Sequence, residues 1–221
     1  MSPQSFASVV TALDLFSVVV FAVTGALVAS RKEMDVFGFS LLGTVTGVGG
    51  GSIRDVLLGQ TPVFWVTEPI YILLCVAASV VVFFTAHIPT SRYRVLVWLD
   101  CVGLSLVAVL GAERGLEAGA GPVVAIVMGV ITATFGGIIR DILGAESPLV
   151  LRKEIYVTAA LLGAAAYVGS TMLVADKFVA TVVGFTVCFA VRALAITYRW
   201  SLPPYKSRPG RGPDELDRLG L

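Results

Sequence analysis

The sequence predicts an all-α integral membrane protein with seven transmembrane helices, arranged as two inverted three-helix repeats plus a seventh helix. Three observations predict it. Of 221 residues, 57% are apolar and 14% charged, with a mean hydropathy of +0.90, against about 45–50% apolar and about 25% charged in soluble domains. Seven apolar segments are divided by polar or Pro/Gly-rich punctuation. Finally, glycines, prolines and charges recur along the chain at one constant lag of 86 residues.

A hydrocarbon core of about 30 Å takes about 20 helical residues per crossing. The expected spans are Val9–Ala29, Val36–Leu58, Pro69–His87, Val95–Ala112, Pro122–Leu143, Glu154–Val174 and Phe178–Tyr198. The first could be mistaken for a signal peptide. It has no Lys/Arg-rich start, carries Asp14 within its apolar run and takes part in the repeat, so it is read as a retained helix. Loops are expected at Arg31–Glu33, Gly59–Pro62, Pro89–Arg92, Glu113–Gly115, Glu146–Pro148 and Asp176-Lys177.

Repeat one then covers about 9–87, repeat two about 95–174 and the seventh helix about 178–198. A basic tail, 199–221, follows, and its Pro, Gly and charges predict disorder.

Seven spans place one end of every loop pair on the same face. Eleven of the sixteen basic residues fall there: Arg31, Lys32, Arg92, Arg94, Arg152, Lys153, Arg199, Lys206, Arg208, Arg211 and Arg218. Arg114 and Lys177 fall on the other face, and Arg54, Arg140 and Arg192 lie inside spans. By the positive-inside rule the N-terminus is outside and the tail cytoplasmic, in a multi-pass protein of the cell (inner) membrane.

Composition excludes several functions. Net charge is +1, which offers nothing to nucleic acid. Cys75, Cys101 and Cys188 all lie in apolar segments, and His87 is the single histidine. That argues against disulfides, a metal site and nucleophile–histidine chemistry, so neither an enzyme nor a bound cofactor is expected.

The repeat carries the functional signal. Leu13-Asp14 matches Leu99-Asp100, Gly25-Ala26 matches Gly111-Ala112, and Thr46 matches Thr132. Gly50-Gly51-Ser52-Ile53-Arg54-Asp55 matches Gly136-Gly137-Ile138-Ile139-Arg140-Asp141, and Pro62 and Glu68 match Pro148 and Glu154. Three spans per copy is an odd number, so the second copy enters the membrane upside down, an architecture recurrent in proteins that move solutes.

Gly49, Gly50 and Gly51 in the second span, and Gly136 and Gly137 in the fifth, predict a kink or break there, since glycine weakens helices. Gly43, Gly47 and Gly51, spaced by four, also suit close helix packing. The hydroxyls Thr46, Ser52, Thr132 and Thr134 are candidate pore-lining groups beside those glycines. Arg54, Asp55, Arg140 and Asp141, with Asp14 and Asp100, are too costly to face lipid. They are expected as charged vestibules or clamps, with Asp14 pairing to Arg54 and Asp100 to Arg140. Arg192 is expected to snorkel toward the cytoplasmic surface.

The doubled glycine–Arg-Asp element in a seven-span chain of this size resembles the bacterial trimeric intracellular cation channels, over about residues 10–198. The resemblance implies a homotrimer in the lipid bilayer, each protomer with its own pore lined by the kinked second and fifth helices. It implies conduction of monovalent cations, chiefly potassium with some sodium, with no cofactor other than the permeating ion. Some bacterial members of the same group are labelled transporters of a small amino acid, glycine, which stands as the alternative.

Overall fold

In the computed structural model, residues 3–152, 154–203 and 213–220 are described. Nine helices are present among them: α1 (Pro3–Arg31), α2 (Val36–Leu57), α3 (Phe64–Thr67), α4 (Ile70–Thr85), α5 (Arg92–Glu117), α6 (Pro122–Leu143), α7 (Val157–Leu173), α8 (Lys177–Tyr198) and α9 (Pro213–Leu219). Among the described residues the nearest thing to a strand is one isolated antiparallel bridge, Glu154 with Ser201. The protein is an all-α membrane bundle. Five helices, α1, α2, α5, α6 and α8, are long and apolar enough to cross a bilayer. The third helix of each repeat is shorter: α4 has 16 residues and α7 has 17.

The two short helices share a cause. Each follows a hairpin that folds back into the bundle before the helix begins: α3 before α4, and the 3-10 turn Leu149–Leu151 before α7. Chain that would have lengthened the helix is spent on the hairpin.

Packing follows the duplication. The helices α1, α2 and α4 contact one another, as do α5, α6 and α7. The two bundles meet through α2 on α6 and α1 on α5. Those are contacts between repeat mates, the arrangement of helices lying beside a two-fold axis that relates the bundles. The last of the long helices, α8, packs on α7 and α5. Aliphatic and aromatic side chains face outward all round, for example Phe37 at 80% exposure and Val123 at 74%, a surface that only lipid or another chain can cover.

Three local expectations are corrected. Glu113-Arg114-Gly115 is not a loop: α5 continues to Glu117, because Glu113 is buried and accepts from Lys177 Nζ at 2.6 Å and from the Tyr167 hydroxyl. Arg192 does not snorkel. It is buried, stacks over the Tyr156 ring and pairs with Glu154 at 2.8 Å. The tail is not wholly without structure, since Pro213–Leu219 is helical; residues 204–212, with Lys206, Arg208 and Arg211, lie outside the described residues, as does Lys153.

Candidate functional site

The helices α2 and α6 stay helical through their glycines. No break interrupts either helix at these positions, and the glycines also have a packing task. A Cβ on Gly136 would stand 2.6 Å from the Thr46 carbonyl, and one on Gly50 would run into the Thr132 carbonyl. Each helix thus presses its glycine onto the carbonyl of the other, four residues before the mate glycine. Only a residue without a side chain permits backbones to meet this closely. Gly51 meets the Phe64 ring, Gly49 approaches Ile139, and Gly137 faces the Tyr156 hydroxyl.

The hydroxyl candidates turn to their own helices. Thr46 donates to the Leu42 carbonyl, Thr132 to Met128, Ser52 to Val48 and Thr134 to Val130, the usual fate of buried Ser and Thr in helices. Thr46 and Thr132 still flank the crossing, while the Ser52 hydroxyl also accepts from Trp65 Nε1 at 2.9 Å.

Each Arg-Asp element builds a clamp. Arg54 donates to Asp55 Oδ1 from Nε at 2.9 Å and Nη2 at 2.7 Å, and Arg140 Nε donates to Asp141 Oδ1 at 2.8 Å. The second carboxylate oxygen accepts a backbone N–H of the following hairpin: Phe64 on Asp55 and Leu149 on Asp141, both at 2.9 Å. The aspartate thereby fastens the re-entrant hairpin to the end of its long helix. Charge-assisted bonds to backbone N–H groups are among the strong ones.

The two halves then diverge. Arg140 Nη1 bonds Asp100 Oδ1 at 2.8 Å and the Thr24 hydroxyl at 3.0 Å, and neither charged side chain of that pair is exposed. The expected counterpart between Arg54 and Asp14 is not formed. Asp14 instead accepts from the Tyr71 hydroxyl at 2.9 Å, and Arg54 lies over the Phe64 ring, 5.7 Å from its centroid. Between them is a narrow cavity of about 20 Å³, lined by Asp14, Ser17, Thr46, Arg54, Phe64, Thr132 and the crossing glycines. One water needs about 10–15 Å³ of such space, so the cavity holds about one. The repeat mates Asp100, Arg140 and Asp141 do not line it.

Several residues that shape this site were not visible as candidates. Tyr71, Tyr156, Phe64 and Leu149 sit in or after the hairpins and correspond at a lag of 85, while Pro62–Pro148 before them and Glu68–Glu154 between them keep 86. A repeat aligned with a one-residue gap would have paired them.

Charge is unevenly matched. Each half contains one guanidinium and two carboxylates: Arg54 with Asp14 and Asp55, Arg140 with Asp100 and Asp141. No group of three or more His, Cys, Asp or Glu suited to a metal occurs among the described residues.

Comparison with known proteins places this arrangement. A sequence-family model described as "Glycine transporter" matches twice, over residues 11–87 and 97–172, once for each repeat. An inner membrane protein of Escherichia coli K12, YadS, is 39% identical over 195 residues, covering 87% of this chain and 94% of that protein. YvgT, a membrane protein of Bacillus subtilis, is 34% identical, covering 86% and 94%.

Among solved structures, the TRIC trimeric intracellular cation channel orthologue from Rhodobacter sphaeroides is 62% identical. It has a TM-score of 0.86 and covers 87% of this chain and 100% of that one. A second TRIC cation channel structure is 34% identical with a TM-score of 0.81, covering 90% and 98%. These structural neighbours are ion channels, not enzymes. The double match, the shared seven-helix architecture and the identity over most of the chain agree: this protein belongs to the trimeric intracellular cation channel family, whose sequence model carries the glycine-transporter description.

Proposed function

We propose that this protein is a channel for monovalent cations, potassium with some sodium, with one pathway per protomer at the crossing of α2 and α6. The observation that carries this reading is the polar cavity at the glycine crossing, lined by Asp14, whose carboxylate accepts from Tyr71 and pairs with no cation among the described residues, while the Arg54 charge beside it is answered by Asp55. A surplus negative charge in a low-dielectric passage favours cations over anions. The hydroxyls of Thr46 and Thr132 and the glycine backbones supply uncharged oxygens that bind a permeating ion weakly enough to release it. A passage with room for about one water describes a shut pathway. The ion is the only small molecule this function needs.

The chain acts as a homotrimer in the inner membrane, with its N-terminus outside and its tail in the cytoplasm. The trimeric description of the 62% identical relative and the eleven-to-two bias of basic residues support this.

The alternative is an alternating-access carrier for a small amino acid such as glycine. It draws on the description of the matching family model and on the unequal halves, one with a cavity and one sealed. Purified protein in planar bilayers separates the two. Discrete potassium currents that reverse near the potassium equilibrium potential are the expected result. Electrically silent, saturable glycine uptake with no unitary current would overturn the channel.

A further inference from the structure

At the arginine-rich end of the bundle a second cavity, of about 700 Å³, opens between the start of α5, the turn before α7 and the end of α8. One wall is apolar, formed by Val97, Leu151 and Ile196, and the polar lining carries Tyr93, Arg152, Glu154, Arg199 and Trp200. Among the described residues neither arginine is paired with a carboxylate. Arg152 donates to the Tyr93 hydroxyl at 2.6 Å and to the Ser147 carbonyl at 3.2 Å, and Arg199 has no ion-pair partner among the described residues. Glu154, the carboxylate that lines the same cavity, is already neutralised by Arg192 at 2.8 Å.

The wall is built rather than incidental. Arg199 adopts the left-handed conformation, φ 54° and ψ 39°, where a non-glycine residue is uncommon. This turn returns the Trp200 N–H to the Ala195 carbonyl at 3.0 Å and lays Ser201 against Glu154 as an antiparallel bridge. Tyr198 stacks on Trp200 at 6.0 Å, and both rings are well exposed, as aromatic residues are at a membrane–water boundary.

We propose that this cavity binds an anionic phospholipid, its phosphodiester between Arg152 and Arg199 and an acyl chain along Val97, Leu151 and Ile196. Uncompensated cations rimming an apolar interhelical cleft at interface depth match a lipid of that charge and shape. A zwitterionic lipid would leave their charge unanswered.

The test uses the full-length protein in phosphatidylcholine nanodiscs doped with brominated phosphatidylglycerol or brominated phosphatidylcholine, reading quenching of tryptophan fluorescence. The residue read is Trp200, isolated with Trp65→Phe and Trp98→Phe. Brominated phosphatidylglycerol should quench at lower doping, by about fivefold for each arginine engaged. The difference should vanish in Arg152→Gln/Arg199→Gln and largely survive in Arg152→Lys/Arg199→Lys, which also controls for folding. Equal quenching by the two lipids in the parent protein overturns the proposal. So does a glutamine variant that keeps the preference, or one whose only change is loss of the oligomer.

Discussion

Arg140 and Asp100 close an ion pair of 2.8 Å with neither side chain exposed, whereas their repeat mates Arg54 and Asp14 have turned to Asp55 and Tyr71. A duplicated sequence has thus produced a sealed half and a half with a cavity. The asymmetry leads to unequal consequences for equivalent substitutions.

Arg140→Ala should cost about 3–5 kcal/mol, because it leaves the buried Asp100 carboxylate without its guanidinium. Arg54→Ala should cost clearly less, since Asp14 keeps Tyr71 and the cavity admits water. Unfolding followed in detergent for both variants checks the ordering; equal losses would remove the distinction between the halves.

Gly50→Ala and Gly136→Ala should each cost about 1–3 kcal/mol by overpacking, and should suppress flux by forcing α2 and α6 apart. Gly169→Ala is the contrast. Its Cβ meets nothing within 4 Å on α7, so the substitution should gain up to about 1 kcal/mol from helix propensity and leave flux alone. Thermal unfolding and ion flux in liposomes read both effects.

Asp14→Asn should lower the preference for potassium over chloride, because it removes the carboxylate that lines the cavity. Reversal potentials under a potassium chloride gradient should move toward zero. Asp100→Asn should show its effect in stability, since that carboxylate does not line the cavity.

Trp65→Phe should cost about 0.5–1.5 kcal/mol by removing the bond from the indole N–H to the Ser52 hydroxyl that ties α3 to α2. Combining it with Ser52→Ala tests the assignment. A double variant no worse than the more damaging single variant identifies the pair as one interaction.

Much of the architecture was legible because lipid leaves few choices. A span must be a long apolar helix, so α2, α6 and α8 fall within a residue of their expected limits at nearly every end. The hairpins were less legible. The carboxylates of Asp55 and Asp141 could be seen to be too costly for lipid, but their partners are the backbone N–H groups of Phe64 and Leu149, which any residue except proline supplies. The glycines were readable as either a bend or a close contact. The nearness of the Thr46 and Thr132 carbonyls shows the contact.

The sequence by itself determined that the chain lives in a bilayer, that it is one three-helix unit used twice in opposite senses, and which charges lie at its centre. Periodicity, composition and a constant lag carry those facts directly. Only the tertiary structure decided which carboxylate each arginine takes, that the glycines join α2 to α6, and that one half keeps a cavity. The two repeats are near-equivalent in sequence and share one fold, so the choice between Asp14 with Tyr71 and Asp100 with Arg140 turns on how the hairpins and α8 pack around them. That packing depends on contacts between distant segments, which no local pattern encodes.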